Sequence, residues 1–190
     1  MYAYFIDDWV YEKHHRKIDR LDLWLTQAGI SGRKIKLVRL NDLPGSIKDC
    51  VAAGVKFFIA VGDDSTVSRV LNNILILQKK EGFTFTFGFI PIIELSAIAR
   101  MLGISFSQKA VQALASAQTM SIDLGMLNKR HYFVTAAVFP KKCALGFRSY
   151  TVSSMYKDHH ISVCNTDIYN QDTNQDTKKF DPTDQILEAV

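Results

Sequence analysis

No apolar run in this sequence approaches the ~20 residues that a membrane-spanning helix needs. The N-terminus, MYAYFIDDW, has neither the basic start nor the small-residue cleavage site of a signal peptide. Cysteine is scarce, and Cys50, Cys143 and Cys164 lack the paired spacing of a zinc site or a redox motif, so buried reduced thiols are expected. These absences point to a cytoplasmic chain. What is present is an ordinary globular composition, 47% hydrophobic and 22% charged over 190 residues, enough for one sizeable core or for one and part of a second.

Charge is unevenly placed. The net charge is +4, but from Asn165 onward Asp167, Asp172, Asp176, Asp181, Asp184 and Glu188 face only Lys178 and Lys179, so that segment is −4 and the rest +8. A basic body attracts nucleotides, anionic lipid headgroups or nucleic acid through the same long-range field, and charge alone does not choose among them.

The first part of the chain alternates between strand and helix periods. Tyr2–Ile6 reads as a short strand, followed by Ile18, Leu21, Trp24, Leu25 and Ala28 at helical spacing and a helix stop at Gly29. Lys34–Leu40 is strand-like, and Pro44 opens a short helix closed by Gly54. Val55–Val61 is a continuous apolar run of the kind buried on both faces of a parallel sheet. From Thr66 a helix is expected, with Val67, Val70, Leu71, Ile74 and Leu75 in one stripe. Phe83–Ile90 is a further strand, and helical patterns cover Glu94–Leu102 and Ser107–Gln118. Such alternation predicts an α/β layer with a parallel sheet over residues 1–118, its ligands beyond the carboxyl ends of the strands.

After residue 118 the helical stripes stop. TMSIDLGML and HYFVTAAVF flank a hairpin turn at Asn128–Arg130, and LGFRSYTVSSMY and HISVCNTDIY flank another at Lys157–Asp158, so an antiparallel β portion is expected over 119–190. NQDT occurs twice between Asn170 and Thr177 and reads as a solvated loop. ILEAV at the end reads as a strand with at most one partner.

One junction carries chemistry. AVGDDSTVSRVLNN, Ala60–Asn73, runs from strand through a polar turn into a helix, a geometry that aims free backbone N–H groups and a positive dipole end at an anion. The same turn reads equally as a solvated cap, with Asp63 or Asp64 closing the helix N-terminus. His14–His15 and His159–His160 read as surface residues rather than metal ligands. Lys129–Arg130 and Lys141–Lys142 are open to anionic lipid or serve solubility alone.

VGDDSTVSRVLNN resembles the Gly-Gly-Asp-Gly-Thr nucleotide loop of the diacylglycerol kinase and sphingosine kinase catalytic domains, with Gly62, Asp64, Thr66, Val70 and Asn72 in matching places. The same family, related to NAD kinases, is resembled in order by FGFIPIIELSAIARMLGI at Pro91, Ala99, Arg100 and Leu102–Gly103, by SIDLGMLNKRHYFV at Asp123–Gly125 and Tyr132–Phe133, and by DPTDQILEAV at Asp184 and Leu187. The resemblance implies an α/β nucleotide-binding domain followed by part of an antiparallel β-sandwich, and ATP-dependent phosphorylation of a lipid hydroxyl. It implies that Gly62, Asp63, Asp64, Ser65, Thr66, Glu94 and Ser96 hold the nucleotide, Asp64 the Mg²⁺, and that Asp184 is the catalytic base. Nucleotide and an anionic membrane surface, not nucleic acid, are the partners it implies, with the chain peripheral at most.

The sequence departs from the family pattern at the loop. Asp63 and Ser65 replace two glycines, and Ile93-Glu94-Leu95-Ser96-Ala97 replaces Gly-Thr-Gly-Asn-Asp. Arg69 stands at a glutamate position, Asp7–Asp8 where Asn-Pro is usual, and Gln185 at a glycine. A second expectation therefore stands beside the kinase: a non-catalytic relative that keeps the fold and binds nucleotide or metal at most.

Overall fold

The computed structural model describes residues 1–38, 42–147, 149–156, 158–166 and 181–189. The chain divides into two compact units, Met1–Met120 and Ser121–Val190. The NQDT duplication, Arg39–Leu40, Lys157 and Val190 lie outside the described residues.

In the first unit, β1 (Tyr2–Asp7), β2 (Arg33–Leu37), β3 (Phe57–Gly62) and β4 (Thr86–Pro91) form a parallel sheet in the order β2-β1-β3-β4. Helices α1 (Asp8–Gln27), α2 (Leu43–Ala52), α3 (Asp64–Glu81), α4 (Ala97–Met101) and α5 (Gln108–Ala115) fill the connections. The middle strands are buried on both faces, as their apolar sequences require. Tyr4, Ile6, Ile59, Val61, Ile90 and Ile92 share a core with Val10, Ile18, Leu21 and Leu25 of α1 and Val111 of α5. The alternate residues, Phe5, Phe58, Ala60 and Phe89, are buried too, and by strand alternation they point to the other side. The mixed α/β architecture expected from the two sequence periods is the one observed.

The strand order reverses between β1 and β3, because α1 leads outward to β2 while α2 returns the chain to the far side of β1. This is the switch point at which sheets of this kind leave a crevice beyond the strand ends. Register sets what reaches it: Ile6 pairs with Val61 and Gly62 with Pro91, so Asp7, Gly62 and Pro91 end their strands side by side.

Several element boundaries differ from expectation. Helix α3 begins at Asp64, two residues before Thr66, because Asp63 supplies the cap. Residues 83–85 precede β4 instead of belonging to it, and the Glu94–Leu102 pattern shortens to Ala97–Met101, since Ser96 caps the helix late. Cys50 and Cys164 are buried thiols as expected, but Cys143 is only half-buried. No helix among the described residues is long and apolar enough to cross a membrane.

The second unit holds small antiparallel sheets. β5 (Gly125–Leu127) and β6 (His131–Phe133) form the expected hairpin. LGFRSYTVSSMY, expected as one strand, is itself an antiparallel pair of β8 (Ala144–Gly146) and β9 (Thr151–Ser153). β10 (Ile161–Cys164) does not pair with β9 across Lys157–Asp158. Its partners are β7 (Ala136–Phe139) and β11 (Glu188–Ala189), because a strand buried at every position needs neighbours on both sides.

Candidate functional site

The site forms where β1 and β3 end. Asp63 adopts an extended backbone, φ −123° and ψ −174°, and its Oδ1 accepts the Thr66 N–H at 2.9 Å while the Thr66 hydroxyl accepts the Asp63 N–H at 3.3 Å. This reciprocal box satisfies two N–H groups that the first turn of α3 would otherwise leave free. Oδ1 of Asp63 also accepts from the hydroxyls of Ser65 and Thr66, each at 2.9 Å. Burial pushes the Asp63 carboxyl up, but these hydrogen bonds from Thr66 and Ser65 outweigh it and hold the group below the usual carboxylate range.

Thr66 is buried, and its hydroxyl also lies 3.1 Å from Oδ2 of Asp7, at the end of β1. Gly62 is needed beside it: a Cβ at that position would meet Thr66 Oγ1 at 2.3 Å. The glycine thus makes room for a side chain of the protein itself.

Asp64 reaches the next element. Its Oδ1 accepts from the buried Ser96 hydroxyl and its Oδ2 accepts the Ala97 N–H at 2.7 Å, while Ser96 Oγ accepts the Ala99 N–H at 2.9 Å. One carboxylate therefore closes the N-terminus of α4 from 33 residues away. Ile92 N–H donates to the Gly62 carbonyl at 2.8 Å, which holds the two loops in that relation.

The electrostatics of the crevice follow. Asp7 and Asp63 meet at the Thr66 hydroxyl, Asp64 follows on the first turn of α3, and Asp8 beside Asp7 is paired with a cation. Lys36 pairs with Asp8 at 2.6 Å, Lys17 donates to the Ile92 carbonyl at 2.7 Å, and Arg69 donates to the Val38 carbonyl at 2.9 Å. Among the described residues no group of three or more His, Cys, Asp or Glu is placed to hold a metal ion.

Gly62, Asp63, Asp64, Ser65, Thr66 and Ser96 are thus brought together, and Asp7 joins them. In the sequence Asp7 stands out only as a departure from the Asn-Pro pattern; the signal that could place it here is its position at the end of a buried strand. Glu94 is exposed in the loop between β4 and α4. Asp184 belongs to the second unit, in a turn where its Oδ1 accepts the Ile186 N–H at 2.9 Å and the Gln185 N–H donates to Asp123 at 2.5 Å. Gln185 occupies the left-handed region, φ +63°, where a glycine would be unstrained. Asn165, buried, supports Asp123 by donating to its carbonyl at 2.8 Å.

A structure of a diacylglycerol kinase from Bacillus anthracis str. Sterne superposes on this chain with a TM-score of 0.64 over 86% of its residues. The fold is diacylglycerol kinase-like. Two structures named as candidate diacylglycerol kinases from the same strain match equally, with a TM-score of 0.64. Identity is 15% in each case, so the likeness is one of fold. The chain spans 62–64% of the length of these proteins. No family model matches the sequence, and no curated protein does.

Proposed function

We propose that this chain is a non-catalytic relative of the lipid kinases, which keeps their nucleotide-binding fold with its phosphate cradle filled by the chain's own carboxylates. The observation that carries this is the pair of contacts from Asp63 to the Thr66 N–H and from Asp64 to the Ala97 N–H. Those donors are the groups an incoming phosphate would need. A phosphate about 5 Å from a carboxylate, at an effective dielectric of about 20, is repelled by on the order of 3 kcal/mol per unit charge. The residues present do not fit a nucleotide phosphate in this arrangement, nor is Asp64 free to hold Mg²⁺.

A second reading is ATP-dependent phosphorylation of a lipid alcohol, with Asp184 as base and Mg²⁺ beside Asp64. The fold likeness to kinases favours it. Calorimetry with ATP and ADP, with and without Mg²⁺, separates the two. Weak or absent binding by the unaltered chain is expected. Asp63→Gly is expected to tighten ATP and reduce its dependence on metal, since glycine at a helix cap costs only a few tenths of a kcal/mol and removes the repelling charge. Tight binding of Mg²⁺–ATP by the unaltered chain would refute the proposal and favour the kinase.

A further inference from the structure

We propose that the outer edge of β4 pairs with the same edge of a second copy of this chain, joining two four-stranded sheets into one. The two edges of the sheet differ in kind. β2 carries exposed Arg33, Lys34 and Lys36, of which Lys34 and Lys36 pair with Asp22 and Asp8 of α1 at 2.5 and 2.6 Å. Charges of that kind keep a foreign strand away from an edge. At the other edge no residue from Phe83 to Ile93 is charged, and Phe83–Phe89 alternates phenylalanine with threonine or glycine. Aromatic and β-branched residues without charge are the composition that extends a sheet.

The edge is also open. Among the described residues β4 pairs with β3 and with no strand on its outer side. The Thr86 N–H donates to the Lys56 carbonyl and the Ile92 N–H to the Gly62 carbonyl, each at 2.8 Å, so even-numbered residues turn their backbone groups to β3. By alternation those of Phe85, Phe87 and Phe89 point outward. Thr84 is exposed and Phe83, Phe85, Thr86, Phe87 and Gly88 are half-buried, whereas residues 89–91 are buried and Pro91 has no N–H to offer. The accessible stretch is therefore 83–88. Phe83 and Phe85 stand just ahead of β4, and their rings lie 6.4 and 6.3 Å from that of Phe58, the residue paired with Phe87. The phenylalanines thus line one side of this edge and Thr84 and Thr86 the other.

The sequence of the edge selects its occupant. Phe-Thr-Phe-Thr-Phe, residues 83–87, reads the same in both directions. A two-fold axis at Phe85 sets two such edges antiparallel, with Phe85 against its copy, Phe83 against Phe87 and Thr84 against Thr86, like facing like at every pair. The backbone parity agrees. Residues 83, 85 and 87 are the outward-pointing ones, so each of their pairs exchanges hydrogen bonds, and aromatic and Thr–Thr pairs are among the favourable cross-strand neighbours. A strand of another protein would satisfy the same backbone groups but would gain nothing from the palindrome. The axis closes on two copies, and the guarded β2 edge stops growth beyond them.

This inference is independent of nucleotide binding. Sedimentation equilibrium of the full chain tests it: a monomer–dimer equilibrium is expected within roughly 1–100 µM, the strength that suits a small interface. Thr84→Lys is expected to weaken the dimer about tenfold and to recover part of that loss in about 0.5 M salt, because the two added charges repel across the axis. Thr84→Cys with Thr86→Cys places thiols opposite one another, their Cα atoms about 4.5 Å apart and within disulfide reach. Mild oxidation of that variant should give a covalent dimer that reductant dissolves; the unaltered chain, with Cys50 and Cys164 buried and Cys143 half-buried, is the control. A monomer at every concentration, assembly beyond the dimer, a dimer that Thr84→Lys leaves intact, or a dimer whose paired cysteines do not cross-link would each overturn the proposal. Far-ultraviolet circular dichroism accompanies every variant, and the unaltered chain and the cross-link decide even where Thr84→Lys is misfolded.

Discussion

At the residue scale the crevice is a set of polar side chains that satisfy one another. Asp63 is the clearest case. Its folded carboxyl is held below its ordinary value, so the ionised form contributes stability at neutral pH, and that contribution is lost as pH falls through the folded value, below the usual carboxylate range near pH 4. Asp63→Ala is expected to cost about 0.5–2 kcal/mol at pH 7, the range for a lost helix cap, and the gap to the unaltered chain should narrow below about pH 4. Urea denaturation at pH 7 and pH 3 measures it. Gly62→Ala tests the packing argument at the same place: with Thr66 Oγ1 2.3 Å from the new Cβ, a loss of about 1–3 kcal/mol is expected. The cap itself was legible in DDST, because an aspartate three residues before a threonine is a local pattern. The approach of Asp7 to Thr66 was not, since those residues are 59 apart and meet only through strand register.

At the scale of elements, α4 depends on its neighbours. It has five residues, fewer than an isolated helix needs, and its first N–H groups are held by Asp64 and by Ser96. Ser96→Ala is therefore expected to remove about 1 kcal/mol and to speed hydrogen exchange at the Ala97 and Ala99 amides. Exchange followed by mass spectrometry should show the change confined to residues 92–103 and the start of α3. A uniform change across the sheet would instead mean global destabilisation. The helix stops at Gly29 and Gly54 were legible in sequence for a conformational reason: both take positive φ, which other residues resist. The shortening of the Glu94–Leu102 helix was not legible, because apolar spacing marks a buried stripe and not the point at which a distant carboxylate starts the turn.

For the whole molecule, the expected outcome is a lipid kinase-like fold without the corresponding turnover. Transfer of labelled phosphate from ATP to lipid alcohols should stay at background for the unaltered chain and for Asp184→Asn alike. The substitution should shift stability by less than about 0.5 kcal/mol, since asparagine keeps the oxygen that accepts the Ile186 N–H. Turnover abolished by Asp184→Asn would overturn the non-catalytic reading.

By itself the sequence determined the change from mixed helix and strand to short strands, the four strands of the first unit and the helix stops at Gly29 and Gly54, and it offered Asp63 or Asp64 as a cap for the helix that follows. All of these rest on periodicity or on interactions within a few residues, which the chain carries wherever it folds. Only the tertiary structure decided that β10 lies between β7 and β11 and not against β9, because a turn signal at Lys157–Asp158 cannot compete with burial of Ile161–Cys164 on both sides. It alone decided, too, what the carboxylates do. Parallel register sets Gly62 against Pro91, and this brings Ser96 and Ala97 under Asp64; a cradle that reads in sequence as open to phosphate is closed by a side chain whose partners lie 32 and 33 residues away.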